Sequence, residues 1–183
     1  DIEEKVKTLR THGMTKDRAV VGENAPPWYY EIHELGYNYR ITDFQCALGI
    51  SQLKKLDEFV SKRNSIAKSY NDAFNKKENI ATPFKNDNVF HAYHLYPLRI
   101  DFAEAGLNKS HFFRKMLENN INLQVHYIPV HTQPYYMKNY GFKHGDFPIS
   151  ESFYSQEVSL PIYPSLKNEE MKKVAKIIKK IVK

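Results

Sequence analysis

Apolar residues recur at helical spacing over the first ten positions and then lose any regular period. Ile2, Val6 and Leu9 lie three to four residues apart, which predicts a short amphipathic helix over residues 2–10. Residues 14–41 show no sustained period but contain several aromatic side chains. We therefore predict a long ordered loop there, and loops of that length in folded domains commonly serve function.

A capping box begins the longest helical pattern of the chain. Thr42 stands at the N-cap position and Gln45 follows three residues later, so each side chain can satisfy a free backbone N–H of the other. Apolar residues then recur every three to four positions. This stripe consists of Ala47, Ile50, Leu53, Leu56, Phe59, Val60, Ile66, Ala67, Tyr70, Ala73 and Phe74. We predict a helix over residues 42–75 that links two structural units or bends once.

The pattern changes after residue 75 to an alternation of short apolar segments and helical stripes. A predicted strand over 91–100, a helix over 110–119 and a strand over 121–128 form a βαβ unit. The remaining predictions are a short helix near 149–156, a strand over 158–162 and a last helix over 168–182. These elements predict a small α/β domain over 76–183, whereas residues 1–41 have too few apolar positions for a core of their own.

Composition places the chain among folded proteins that do not span a membrane. It has 183 residues, 42% of them hydrophobic and 26% charged, which is enough for one domain with a core, or for one domain plus an appendage. No apolar run approaches about 18 residues. The single cysteine, Cys46, excludes an internal disulfide and favours a reducing compartment, and on its helix face we expect a buried thiol. No signal peptide is visible, and we expect a cytoplasmic protein. Because the chain does not begin with Met, we expect it to be either trimmed or a piece of something longer.

The net charge of +6 is concentrated in one terminal segment. Residues 167–183 contain seven Lys and two Glu, a balance of +5, so the rest of the chain carries +1. A nucleic-acid-binding face more often spreads Lys and Arg along a groove. We therefore interpret the tail as the solvated face of a helix and expect neither a nucleic-acid nor a membrane partner.

Two histidine pairs raise the question of a metal site. His91 and His94 are three apart, and on a strand their side chains would point to opposite faces. His126 and His131 are five apart and would converge only through a turn. No HExxH motif and no carboxylate accompanies either pair, so we expect no metal.

Two segments are the stronger candidates for chemistry. Residues 36–40, Gly-Tyr-Asn-Tyr-Arg, precede the Thr42 cap and bring an amide and a guanidinium to a helix entry. This arrangement suits a phosphate, or equally a structural salt bridge of Arg40. Residues 125–136 contain two His, three Tyr and a Gln after a predicted strand. They suit a sugar or a base, or alternatively close a small core.

In this order along the chain, the segments resemble the DegT/DnrJ/EryC1/StrS family of sugar aminotransferases. The matching segments are Arg10–Gly13, Gly36–Gly49, Gln52–Leu53, Arg63–Asn64, His126–Tyr136 and Ser159–Pro164. The resemblance runs essentially from end to end. Within the family, the aromatic loop and the His126 segment are most similar to the UDP-4-keto-6-deoxy-sugar 4-aminotransferases of the pseudaminic-acid pathway.

The resemblance implies a fold and an activity. The fold is α/β: the C-terminal part of an aspartate-aminotransferase-like (fold type I) enzyme, with a long linking helix and a small α/β domain. Residues 1–41 would be the end of the large domain with an active-site loop, 42–75 the linking helix and 76–183 the small domain. The whole enzyme would use pyridoxal 5'-phosphate to transfer an amine from glutamate to C4 of a UDP-linked keto sugar, as a homodimer with shared active sites.

Site residues follow from the same resemblance. Asn38 would lie at the cofactor phosphate of the neighbouring subunit, with Arg40 close by, while Arg10 and His12 would be structural. The residues that would contact the nucleotide sugar are Trp28, Tyr30, His126, Tyr127 and His131. The Schiff-base lysine would lie upstream of Asp1, so no catalytic residue is assigned and we expect the chain alone to be inactive.

Two alternatives use the same residues differently. The chain would be a stand-alone carbohydrate or nucleotide-sugar binding module if a genuine start codon directly preceded Asp1. It would be a nucleic-acid binder if the segment 167–183 conferred a steep salt dependence.

Overall fold

The structure, a computed structural model, describes residues 1–182. Lys183, the last residue of the predicted domain 76–183 and of the Lys-rich tail, lies outside the described residues. The chain divides into unit 1, residues 1–54, and unit 2, which begins at Lys55.

Unit 1 consists of short elements joined by loops. In chain order these are α1 (Ile2–Leu9), β1 (Met14–Thr15), α2 (Arg18–Val21), β2 (Glu31–Ile32) and α3 (Asp43–Leu53). The predicted helix over 2–10 is confirmed as α1, and β1 pairs antiparallel with β2 through Met14 and Ile32.

Helix α3 confirms the capping box. The Thr42 hydroxyl accepts a hydrogen bond from the Gln45 N–H at 3.3 Å, and the Gln45 Oε1 accepts one from the Thr42 N–H at 2.9 Å. No residue of α3 is buried, and Cys46 is exposed. The expectation of a buried thiol is wrong because this helix has no packing partner within unit 1.

Unit 2 holds the longer helices and a three-stranded sheet. Its elements are α4 (Leu56–Phe74), β3 (Ile80–Ala81), β4 (Tyr96–Ile100), α5 (Lys109–Glu118), a 3-10 turn (Val130–Thr132), α6 (Pro134–Tyr140), α7 (Pro148–Gln156), β5 (Glu157–Leu160) and α8 (Asn168–Ile181). The stripe predicted as one helix over 42–75 is therefore two helices, interrupted at Lys54 and Lys55.

The core of unit 2 lies on one face of this sheet. Strand β4 is central and pairs antiparallel with β3 and β5, with Tyr96 opposite Leu160 and Leu98 opposite Val158. The core residues of the helices α4, α5 and α8 that cover this face are Ile66, Ala67, Tyr70, Phe74, Phe112, Met116, Met171, Val174, Ala175 and Ile178. The lysines of α8 within the described residues are exposed, as the sequence predicts.

The predicted second strand over 121–128 is wrong. Only Gln124 pairs with the sheet, through an isolated antiparallel bridge to Ser159. Two residues later the His126 N–H donates to the Glu157 carboxylate at 3.0 Å instead of to a strand carbonyl, which ends the pairing. Because β5 lies between β4 and Gln124, the βαβ unit is split rather than formed by neighbouring strands.

Arg63 and Asn64 of α4, one of the segments that resemble the family, connect this helix by hydrogen bonds to the segment before β4. The Arg63 Nη1 donates to the carbonyls of Tyr93 and His94, each at 3.2 Å, and to that of Ile162 at 3.1 Å. The neighbouring Asn64 amide donates to the His91 carbonyl at 2.9 Å. Both side chains donate hydrogen bonds to main-chain carbonyls, so their role in this unit is structural.

Within residues 1–182, no helix has both the length and the apolar character to cross a membrane.

Candidate functional site

Unit 1 brings two sequence motifs together through main-chain hydrogen bonds. The His12 N–H donates to the Tyr37 carbonyl at 2.9 Å, and the Tyr39 N–H donates to the Arg10 carbonyl at 3.0 Å. Between them, Thr11 forms an antiparallel bridge with Asn38. Segments 10–13 and 36–40 therefore form one local structure, which we call the motif junction.

Two glycines allow this close approach. A Cβ added at Gly36 would lie 2.1 Å from the Gly13 nitrogen and 2.5 Å from the His12 carbonyl carbon. Gly13 has a φ of +70°, and a Cβ there would lie 1.8 Å from the Glu34 oxygen. Since a side chain at either position would overlap backbone, the motif junction requires glycine at both.

The motif junction presents an amide and a cation side by side. The Arg40 Nε donates to the Asn38 Oδ1 at 3.3 Å, and the Arg40 Nη2 lies 3.5 Å from the His12 Nε2. Both Asn38 and Arg40 are exposed. No carboxylate of residues 1–182 lies within ion-pair distance of Arg40, so its charge is available to an anion. His12, which the family resemblance predicts to be structural, is thus an additional neighbour of this pair.

The aromatic loop of unit 1 displays its rings to solvent. Trp28 is 76% exposed and Tyr30 is also exposed. The Tyr29 hydroxyl donates to the Glu31 Oε1 at 3.1 Å, and this hydrogen bond raises the pKa of Tyr29. No hydrogen bond joins Trp28 or Tyr30 to Asn38 among the described residues. The contact of Trp28 and Tyr30 with the nucleotide sugar stays a prediction.

In unit 2, His126 is held by two polar residues of β5. Its Nδ1 lies 2.8 Å from the Ser159 hydroxyl, and that hydroxyl donates to the Glu157 Oε1 at 2.5 Å. Glu157 and Ser159 are buried, whereas His126 is half-buried. Tyr127 is exposed, and its ring meets the His126 ring edge-on at 4.6 Å. The side chains of His126 and Tyr127 therefore lie together at the surface of unit 2.

His131 occupies a different environment from His126. It is only 6% exposed, with its Nε2 2.8 Å from the Glu151 Oε1 and its ring 4.7 Å from the Phe147 ring. Glu151 also accepts a hydrogen bond from the Gly145 N–H at 2.8 Å. His131 is thus a satisfied interior side chain of this unit, and its contact with a sugar stays a prediction.

The Glu151–His131 contact predicts an acid-sensitive stability. The hydrogen bonds from His131 and the Gly145 N–H hold the pKa of Glu151 below its ordinary value. A lowered folded-state pKa stabilises the fold above the unfolded value of about 4.3, and this contribution is lost as pH falls through the folded value. We expect the melting temperature of Glu151→Gln to depend less on pH than that of the wild type between about pH 5 and pH 3.

The matched control is Glu104→Gln, at an exposed glutamate whose side chain makes no hydrogen bond among the described residues. Its melting temperature should follow the wild-type pH dependence. Parallel curves for all three proteins would contradict the assignment to Glu151.

One expectation about the histidine pairs needs correction. His91 and His94 precede β4 instead of lying on it, and both line a cavity of about 550 Å³ together with Arg99. The expectation that His91 and His94 point to opposite faces of a strand is therefore wrong, because neither residue belongs to β4. Among residues 1–182, no group of three or more His, Cys, Asp or Glu side chains is placed to hold a metal ion.

Comparison with known proteins identifies the family. A model of the DegT/DnrJ/EryC1/StrS aminotransferase family matches residues 1–179. The spore coat polysaccharide biosynthesis protein SpsC of Bacillus subtilis is 39% identical over 184 residues, which cover 100% of this chain and 47% of that protein. The UDP-4-amino-4,6-dideoxy-N-acetyl-beta-L-altrosamine transaminase of Campylobacter jejuni is 36% identical over 169 residues, 92% of this chain and 42% of that protein.

A solved structure shows the same fold. PseC of Helicobacter pylori, an aminotransferase involved in the biosynthesis of pseudoaminic acid, superposes with a TM-score of 0.85 at 27% identity. The match covers 99% of this chain and 46% of that one. The chain thus spans about half the length of the relatives it matches, and its fold is that of the fold type I sugar aminotransferases. It belongs to the DegT/DnrJ/EryC1/StrS aminotransferase family.

Proposed function

We propose that the protein containing this chain is a pyridoxal-phosphate-dependent aminotransferase that moves an amine from glutamate to a nucleotide-linked keto sugar. The observation that carries the proposal is the motif junction. It holds the Arg40 guanidinium, which forms no ion pair with residues 1–182, beside the Asn38 amide on a glycine-dependent backbone. The names of the Campylobacter and Helicobacter relatives support C4 of a UDP-linked 4-keto-6-deoxy sugar, of the pseudaminic-acid type, as the acceptor.

The residues present fit the phosphate of that cofactor. Asn38 offers an amide N–H, and Arg40 offers a cation that is not neutralised by a carboxylate of the described residues. A bound pyridoxal phosphate supplies the electron-accepting ring that amine transfer needs. In this chain, Asn38 and Arg40 would hold its phosphate, and the acid–base step would belong to a lysine outside residues 1–183.

The nucleotide sugar would be recognised by exposed rings and hydrogen-bonding groups. Trp28, Tyr30 and Tyr127 are exposed and can stack on a base or a sugar face. The half-buried His126 offers a ring nitrogen for a hydrogen bond at the surface of unit 2. We place His131 in the same role on the family resemblance. A cytoplasmic homodimer with shared sites completes the proposal.

Asn38→Ala tests the cofactor assignment. In the complete protein we expect roughly tenfold to hundredfold weaker retention of pyridoxal phosphate, because a hydrogen bond to a charged group contributes about 1.5–3 kcal/mol. Retention is measured from cofactor absorbance after dialysis against a series of cofactor concentrations.

Asn139→Ala is the matched control. The Asn139 amide is exposed and, among residues 1–182, donates only to the Tyr135 carbonyl of its own helix. This variant should retain cofactor like the wild type. Unchanged affinity in Asn38→Ala would remove Asn38 from the cofactor site.

A further inference from the structure

A closed chain of hydrogen bonds connects His126 to a buried carboxylate. The Glu157 Oε2 accepts from the His126 backbone N–H at 3.0 Å, while the Glu157 Oε1 accepts from the Ser159 hydroxyl at 2.5 Å. The Ser159 oxygen in turn lies 2.8 Å from the His126 Nδ1. One carboxylate therefore fixes both the main chain and, through Ser159, the imidazole ring of the same residue.

Strand β5 explains why these two polar groups are buried together. Along Glu157–Leu160 every residue is buried, and side chains alternate between the two faces of the sheet. Val158 and Leu160 belong to the hydrophobic core, so Glu157 and Ser159 point to the opposite face. On that face they meet His126, whose segment is attached to β5 by the Gln124–Ser159 bridge.

Hydrogen-bond donors and a lysine offset the negative charge of the Glu157 carboxylate. It accepts two hydrogen bonds, and its charge acts favourably on Lys109, where it opposes the lowering of the Lys109 pKa by burial. Lys109 itself donates to the Tyr154 carbonyl at 2.5 Å. The Glu157 carboxylate is thus placed among donors and near a cation, which burial of a carboxylate requires.

Hydrogen-bond accounting then selects one form of the imidazole. A serine hydroxyl has a single proton, and Ser159 gives it to the Glu157 carboxylate. Ser159 can only accept from His126, so the proton of the neutral ring resides on Nδ1. The Nε2 keeps its lone pair, and no group among residues 1–182 donates to it.

We propose that Glu157 and Ser159 are positioning residues that present the His126 Nε2 as a hydrogen-bond acceptor to a donor group of the nucleotide sugar. The inference rests on the proposed function and deepens it. The ligand chemistry is an O–H or N–H group, from a sugar hydroxyl or from the amide N–H of an acetamido group or a base. In the other tautomer the Nε2 would donate, and the site would favour an acceptor instead.

The tautomer is measured directly in the complete protein without substrate. With ¹⁵N-labelled histidine, long-range proton–nitrogen correlation at neutral pH distinguishes the protonated from the unprotonated ring nitrogen. His126→Gln identifies the resonances of this residue by their disappearance. We expect a protonated Nδ1 and an unprotonated Nε2. A protonated Nε2 with an unprotonated Nδ1 would overturn the inference, whatever the activity of the protein.

The kinetics of serine variants test whether positioning of His126 by Ser159 strengthens binding of the nucleotide sugar. For Ser159→Ala we expect KM for a UDP-4-keto-6-deoxy sugar to rise roughly threefold to tenfold, the effect of one neutral hydrogen bond. Ser159→Thr keeps the hydroxyl and should restore most of the affinity. Ser155→Ala removes an exposed hydroxyl that, in the described part of the chain, donates only to the Ser152 carbonyl, and it should leave KM unchanged.

A glutamate assay separates failure of this inference from failure of the proposed function. Formation of 2-oxoglutarate from glutamate in the absence of sugar reports the amine-donor half of the reaction. If the wild type forms 2-oxoglutarate but Ser159→Ala and Ser159→Thr have the same KM for the sugar, the positioning role is wrong. The proposed aminotransferase function would then still stand. If the wild type forms none, the proposed function is wrong, and the tautomer measurement still decides the state of His126.

Discussion

Gly36→Ala is expected to weaken cofactor retention by the complete protein strongly. The added Cβ would lie 2.1 Å from the Gly13 nitrogen, a distance that only a shift of the backbone can relieve. Such overpacking costs about 1–3 kcal/mol or more. The shift would separate segment 36–40 from segment 10–13 and move Asn38 and Arg40 away from each other. We expect at least about tenfold weaker retention of pyridoxal phosphate, measured by absorbance after dialysis.

Gly49→Ala supplies the matched control for this substitution. Gly49 lies within α3, and nothing lies within 4 Å of an added Cβ. In a helix interior alanine is favoured over glycine by roughly 0.5–1 kcal/mol, so this variant should retain the cofactor and be slightly more stable. Wild-type cofactor affinity in Gly36→Ala would contradict a role for the motif junction.

Phe112→Ala is expected to have the largest effect on the stability of unit 2. The Phe112 side chain is fully buried in the core, and its ring lies 5.4 Å from the Phe102 ring. Truncating a buried phenylalanine to alanine typically costs about 3–5 kcal/mol, because a cavity remains where the ring was. Hydrogen exchange of the β4 and α5 amides in the complete protein should show a fall of that size in the opening free energy.

Phe84→Ala removes the same side chain from a surface position. Phe84 is 90% exposed within this chain. Its substitution should change the opening free energy of β4 and α5 by less than about 0.5 kcal/mol. Equal losses in the two variants would mean that α5 does not pack as described.

The helices were predictable from sequence where local chemistry determines them. The Thr42–Gln45 capping box fixes the start of α3, and the apolar stripe of α8 fixes its buried face. A single bend was one expectation for the 42–75 pattern, but the position of the break at Lys54 and Lys55 was not predictable, because the apolar spacing continues through it. The absence of a strand over 121–128 depends on a side chain from elsewhere: the Glu157 carboxylate takes the His126 N–H.

The same distinction holds for the candidate site. Asn38 and Arg40 are two residues apart, so local spacing was enough to predict their proximity. The contact of His12 with Arg40 spans 28 residues and requires the motif junction. Glu157 and Ser159 alternate with buried aliphatic residues on β5, and this polar alternation was the available signal for a second buried face.

The most direct test of the account is transfer of a labelled amine. The complete protein, supplied with pyridoxal phosphate, ¹⁵N-glutamate and a UDP-4-keto-6-deoxy sugar, should convert the sugar to its 4-amino product. Mass spectrometry should find the ¹⁵N label on that product and one 2-oxoglutarate for each amine transferred. A protein that binds the nucleotide sugar but transfers no label would contradict the aminotransferase assignment and leave a binding protein.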